Sequence, residues 1–215
     1  MKDAVKRVRR YSSPLRVEQA ALTRSQVLAA AGVLFTTQGY AATTVTQVAR
    51  AAGVSVDTLY ATVGRKPVIL REVVEAAISG AGRTVPAEER DYVVAVRAAP
   101  RAEAKIRIYA DAVAAMSPRT APVFAALRDA AGTDQGCASL DAEISTRRAD
   151  NMLRFAADLR STGELRAGVT DQIIADIVWA LAGWEHYMQL VGGRGWTSAG
   201  YGDYLRETWT RLFLR

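Results

Sequence analysis

Between Thr44 and Gly64 the chain starts a helix, breaks it at a glycine and starts another, and this constrains the fold more than any other feature. Thr44 and Gln47 form a capping box, in which the threonine hydroxyl takes the amide of the third helical residue and the glutamine reaches back to the cap. Val45, Val48 and Ala49 then give the first helix its buried face, and Gly53 ends it. Ser55 caps the next helix, and Asp57 lies in its first turn, where a negative charge suits the helix dipole. Leu59 points to the core and Gly64 stops the helix. Two short helices joined through Ala52-Gly53-Val54 make a helix-turn-helix. The glycine allows the sharp bend, and the second helix is then free to enter a major groove.

The rest of the chain reads as helix as well. Upstream, from about Glu18, Val27, Leu28, Ala31, Leu34 and Phe35 share one face, and Gly39 caps the end. Pro67 opens a fourth helix that runs to about Ser79. Residues 80–100, with Gly80, Gly82, Pro86 and Pro100, read as a connection. Ile106, Tyr109, Ala110, Val113 and Met116 mark a fifth helix stopped by Ser117-Pro118, and Val123, Phe124 and Leu127 a sixth ending near Gly132. Leu140, Ile144, Met152, Phe155 and Leu159 climb a long seventh to Gly163. Thr170 caps an eighth, to about Val191, which is apolar on two faces. Such a helix is buried on both sides, one of them against another subunit. A ninth carries Tyr201, Tyr204, Leu205, Thr208 and Leu212. No segment alternates with period two, so the expectation is an all-α chain of about nine helices.

Charge divides the chain. Residues 1–66 hold ten Lys/Arg against three acids, while the whole chain carries a net +6, leaving the remainder at −1. A basic first third on a near-neutral remainder fits either a polyanion-binding module joined to something with another job or a solvated basic tail. The expected division is a flexible basic arm over 1–20, a helix-turn-helix domain over 21–68 and a second domain over 69–215. The first two dozen residues contain no apolar stretch that reads as a signal peptide, and the run Gln172 to Gly183 is too short to span a bilayer and contains Asp176. The expectation is a cytoplasmic protein with no membrane partner. One cysteine, Cys137, and one histidine, His186, give no metal-ligand spacing and no convincing dyad. No phosphate-loop or dinucleotide glycine pattern is present. An enzyme is therefore not expected, nor a metal or cofactor.

The run from Thr43 to Tyr60 closely resembles the signature of the tetracycline-repressor (TetR) family of bacterial regulators. Ala30 to Phe35 with Gly39-Tyr40 upstream, and Gly64-Arg65-Lys66 with Ile69-Leu70 downstream, extend the likeness over about residues 21–70. The resemblance implies a homodimer that dimerises through its last two long helices, about 171–191 and 198–214, with an N-terminal DNA-binding domain and an effector pocket in the C-terminal domain. It assigns phosphate contacts to Thr44, Thr58, Tyr60, Thr62 and Lys66, a possible base contact to Thr46, and base edges to Val56 and Asp57 beside the cap Ser55. Val56 would meet a thymine methyl and Asp57 a cytosine amino group. Caps and core-edge packing account for Thr44, Ser55, Asp57 and Tyr60 taken singly. The arm arginines Arg7, Arg9 and Arg10 suit a minor groove or a plain tail.

The second domain offers a set suited to an apolar effector pocket with a few polar anchors: Tyr109, Met116, Phe124, Asn151, Met152, Phe155, Trp179, Trp184 and His186. Taken singly, most of these serve equally as packing. The leading reading is a ligand-responsive repressor acting as a homodimer on a palindromic double-stranded DNA operator and released by a small apolar effector. The alternatives are a DNA-binding protein without an effector and a helical small-molecule carrier or enzyme with an incidental basic end.

Overall fold

The computed structural model describes residues 14–80 and 85–215. Among the described residues the fold is all-helical, with α1 Pro14–Gln38, α2 Val45–Ala51, α3 Val56–Thr62, α4 Lys66–Ser79, α5 Asp91–Ala98, α6 Ala102–Ala131, α7 Gln135–Arg160, α8 Asp171–Leu181, α9 Trp184–Tyr187 and α10 Ser198–Phe213. A single antiparallel bridge, Leu165 to Leu214, ties the C-terminus to the α7–α8 loop and is the only β-type pairing among them.

The elements follow local chemistry. Thr44, Ser55, Asp134, Thr170 and Thr197 each cap a helix with a side-chain oxygen. Gly39 (φ 82°) and Gly53 (φ 68°) end α1 and α2 in the left-handed region, which costs a glycine nothing. Helix α1 begins at Pro14 rather than near Glu18, so the expected arm is helical from residue 14. Arg7, Arg9 and Arg10 lie outside the described residues.

Three boundaries differ from the sequence reading. The expected fifth and sixth helices are one, α6, which runs through Pro118 and Pro122. Each proline removes one backbone donor, but Val113, Ala114, Ser117, Thr120 and Ala121 keep one buried face across the prolines. The hydroxyls of Ser117 and Thr120 bond back to the carbonyls of Val113 (2.7 Å) and Met116 (3.1 Å), a pattern that accompanies helix bending. Continuous burial outweighs the local stop signal. Second, the supposed connection over 80–100 contains α5, whose last carbonyls are held by the buried Lys105, with Nζ donating to Val96 (2.7 Å) and Arg97 (3.3 Å). Third, the long eighth helix breaks at Gly183, which is extended (ψ 149°) and starts α9, followed by a π-helical turn over Met188–Gly192.

Two apolar clusters hold the fold together. One joins α1–α4 to the C-terminal half of α6 and the start of α7, with Phe35, Leu59, Ile69, Leu70, Leu127 and Leu140 sealed inside. The other joins α5, the N-terminal half of α6, the end of α7, α8 and α10 around Tyr109, Phe155, Tyr201 and Trp209. Helices α6 and α7 therefore belong to both cores, and residue 68 falls inside α4, next to Ile69 and Leu70 of the first core. The expected burial of the eighth helix on two sides holds for one face only in the single chain. Ile174, Ala175 and Val178 are buried, while Ile173 and Trp179 are 45% and 37% exposed.

Candidate nucleic-acid interface and effector cavity

Helices α2 and α3 present one polar face. At the N-terminus of α2 the capping box is complete: the Gln47 amide donates to Thr44 Oγ1 (3.2 Å) and the Thr44 amide to Gln47 Oε1 (2.7 Å). At the N-terminus of α3 the Thr58 amide donates to Ser55 Oγ (3.0 Å), and the two hydroxyls share a 2.8 Å hydrogen bond. Thr44, Thr46, Ser55, Asp57, Thr58 and Tyr60 are exposed, and Val56 is partly so. Tyr60 is 47% exposed. Seven of the nine sequence-predicted residues are thus at least partly accessible, on or beside α2 and α3.

The other two are engaged elsewhere. The Thr62 hydroxyl, half-buried, bonds back to the Thr58 carbonyl (2.6 Å). Lys66 lies with Nζ 4.0 Å from the centre of the Tyr40 ring, and burial lowers its pKa. Tyr40, whose hydroxyl burial keeps protonated, donates to Asp134 (3.1 Å), the cap of α7. Lys66, Tyr40 and Asp134 therefore link the start of α4 to the start of α7.

Sequence reasoning passed over Arg24, which counts there only as charge. Its guanidinium donates to the Thr62 carbonyl at the end of α3 (3.0 Å) and pairs with Glu72 of α4 (2.6 Å), fixing α3 against both flanking helices. Only the fold reveals this, because its partners lie 38 and 48 residues away.

The second feature is a cavity of about 450 Å³ where α4, α5, α6, α7 and the start of α9 converge. That is within the range of small-molecule sites. Tyr109, Met116, Phe124, Asn151, Met152, Phe155 and Trp184 of the sequence-predicted set all line it. Tyr109 packs on Phe155 (ring centres 4.5 Å apart) and donates to Met152 Sδ (3.0 Å). Trp179 and His186 do not line it. Trp179 lies on the outer face of α8 beside a shallower depression, and His186 stacks on Tyr204 (5.6 Å) with its Nε2 unpartnered and its pKa lowered by burial.

What the sequence reading missed is the charge. Arg90, Arg97, Arg147, Arg148 and Arg154 line the cavity together with Glu75, Glu88 and Asp158. Arg147 pairs with Glu75 of α4 (2.7 Å), and nearby Arg71 of α4 makes a two-pronged bond to Glu143 of α7 (3.2 and 2.9 Å). Helix α7 thus carries both cavity wall and ion pairs to the helix that follows the helix-turn-helix. Among the described residues no cluster of three or more His, Cys, Asp or Glu is arranged to hold a metal ion, and no helix is long and apolar enough to cross a membrane.

Residues 27–77 match the family described as bacterial regulatory proteins, tetR family. No curated protein is significantly similar to the chain in sequence. Among solved structures, the chain is similar to NalD of Pseudomonas aeruginosa, the secondary repressor of the MexAB-OprM multidrug efflux pump. The TM-score is 0.68 and the identity 19%, over 91% of this chain and 98% of that one. It is also similar to a transcriptional regulator from Saccharomonospora viridis in complex with choline (TM-score 0.67, 15% identity, 89% and 97% covered). A third is FadR of Bacillus subtilis in complex with stearoyl-CoA (TM-score 0.68, 15% identity, 86% and 96% covered).

Proposed function

We propose that the chain, whose residues 27–77 match the tetR family of bacterial regulatory proteins, is a transcriptional regulator of that kind: a ligand-responsive repressor that binds a palindromic operator as a homodimer. One observation carries the DNA-binding part: the doubly capped α2–Gly53–α3 unit leaves Thr44, Thr46, Asp57, Thr58 and Tyr60 exposed, with Arg24 bonded to the end of α3. In this reading Val56 and Asp57 face base edges. Thr44, Thr58 and Tyr60 hold phosphates, and Lys66 reaches a phosphate from its seat on Tyr40. The second subunit packs on the outer faces of α8 and α10, where Ile173, Trp179 and Leu212 stand exposed. The effector enters the cavity at the junction of the two cores. The similar structures in complex with choline and with stearoyl-CoA support this.

Binding that favours one placement of α7 acts on α4 through Arg147–Glu75 and Arg71–Glu143. The half-site spacing then changes, and the coupling required is about 1–3 kcal/mol. The test is selection of bound sequences from random duplex DNA near physiological salt, followed by footprinting. A palindrome protected over two successive major grooves is expected. Enrichment of no sequence would remove the operator reading and leave a carrier with an incidental basic end.

A further inference from the structure

Arg148 differs from Arg147 and Arg160 of α7, while Arg154 of the same helix bonds the Asn151 side chain (3.2 Å). Arg147 and Arg160 have carboxylate partners, Glu75 and Asp171. Arg148 lines the cavity, is half-buried, and has no carboxylate within ion-pair distance among the described residues. Its Nη2 bonds two backbone carbonyls at the end of α8, Trp179 (3.2 Å) and Ala182 (3.4 Å). Its Nε and Nη1 make no hydrogen bond among the described residues. The guanidinium lies over the Trp179 ring (5.4 Å), Glu185 acts on it only from beyond ion-pair distance, and its planar fork matches an oxyanion. The neighbouring walls add to the same sign. Once Arg147 and Glu75 cancel, four arginines face two acids, Glu88 and Asp158. Apart from Ser117, Thr120 and Asn151 the remaining lining is apolar or aromatic, with Tyr109, Met152 and Phe155 on the face of the cavity that α6 and α7 share.

Resting on the ligand-responsive reading, we propose that the cavity takes an amphipathic anion: a small apolar or aromatic body against Tyr109, Met152 and Phe155, with its carboxylate or equivalent oxyanion on the free edge of Arg148. This narrows the apolar effector expected from the sequence to a charged class. It also gives the ligand a handle on the end of α8, because the group that binds the anion is the one that holds the Trp179 and Ala182 carbonyls.

The experiment uses the full-length protein and two sets of isosteres: decanoate, decan-1-ol and decyltrimethylammonium below their micelle concentrations, and 1-naphthaleneacetate with 2-(1-naphthyl)ethanol and 2-(1-naphthyl)ethylamine. Thermal shift and calorimetric titration are read on the wild type, Arg148→Gln and Arg148→Lys, and release of the selected operator is read in parallel. At least one anion should bind tenfold or more tightly than its neutral and cationic isosteres. Arg148→Gln should remove that preference while leaving the neutral isostere unchanged, and Arg148→Lys should keep part of it. The isostere comparison in the wild type stands even if Arg148→Gln folds poorly. The proposal is overturned if neutral or cationic members bind as well as the anions, if Arg148→Gln keeps the anion preference, or if no anion binds. If neutral or cationic members also release the operator, the ligand-responsive reading survives while the anion assignment falls. If anions bind through Arg148 and the operator stays bound, the anion site stands and the ligand-responsive reading falls.

Discussion

Replacing Gly202 with alanine sets two effects of comparable size against each other, and the structure decides the sign. Gly202 is buried on α10 against α6, and a Cβ built there lies 2.9 Å from Ala114 Cβ and 3.7 Å from the Ala110 carbonyl oxygen. Its backbone is helical, so alanine brings the ordinary gain in helix propensity, about 0.8–1.0 kcal/mol. Carbon atoms pack best at about 3.5–4.0 Å, so the two helices must part by roughly 0.6–1.1 Å at this point. Neither atom is the far end of a flexible side chain, so no rotamer change relieves the contact. Overpacking of this kind costs about 1–3 kcal/mol. The expected net is a loss of about 1 kcal/mol, or a melting temperature lower by about 2–4 °C. The paired change Ala114→Gly makes room, so Gly202→Ala and Ala114→Gly together should lie about 1–2 kcal/mol above the sum of the single changes. The assay is thermal unfolding of the four proteins at one protein concentration, because an associating chain melts in a concentration-dependent way. A rise in melting temperature on Gly202→Ala, or strict additivity in the double variant, would refute the reasoning.

Arg24→Ala removes a charged hydrogen bond to the Thr62 carbonyl and a half-exposed ion pair with Glu72. It should cost about 1–2 kcal/mol in thermal unfolding and weaken operator binding beyond what one lost charge explains. Binding and stability equal to wild type would show that α3 is held without it. Lys66→Ala loses the contact on Tyr40, about 0.5–1 kcal/mol. It should also lower the salt dependence of DNA binding by about one unit, and an unchanged slope would deny Lys66 a phosphate. His186 has its pKa lowered by burial, so below the unfolded value of about 6.5 the unfolded chain takes up a proton that the folded chain resists. Stability should therefore fall as pH drops from 7 to 5.5, and His186→Phe should flatten that part of the profile. Melting curves of parallel slope in the two proteins would contradict it.

The helix-turn-helix was legible because its determinants are local. Thr44, Gln47, Gly53 and Ser55 act within four residues of themselves, and each appears in the structure in the role its type suggests. Local signals misled where burial outweighed them. Pro118 reads as a stop, yet α6 runs on because its buried face continues. At Gly183 the error was the reverse, since the apolar pattern of α8 carries across a glycine that is extended. The aromatic wall of the cavity was readable as helical apolar residues, but the arginines were not. What makes Arg148 and Arg24 informative is the identity of partners 31 to 48 residues away, which spacing does not encode. Composition groups His186 and Trp179 with the cavity, whereas neither lines it: His186 stacks on Tyr204 and Trp179 stands part-exposed on α8.

The central claim is that α3 reads sequence. The most direct measurement compares Asp57→Ala and wild type on the selected operator and on a scrambled duplex at one salt concentration. A fall in the ratio of the two affinities by about tenfold, as expected for losing one base contact, with scrambled-duplex binding held or strengthened, is the predicted result. If the ratio stays at its wild-type value, Asp57 serves the helix dipole alone and the recognition surface proposed for α3 is wrong.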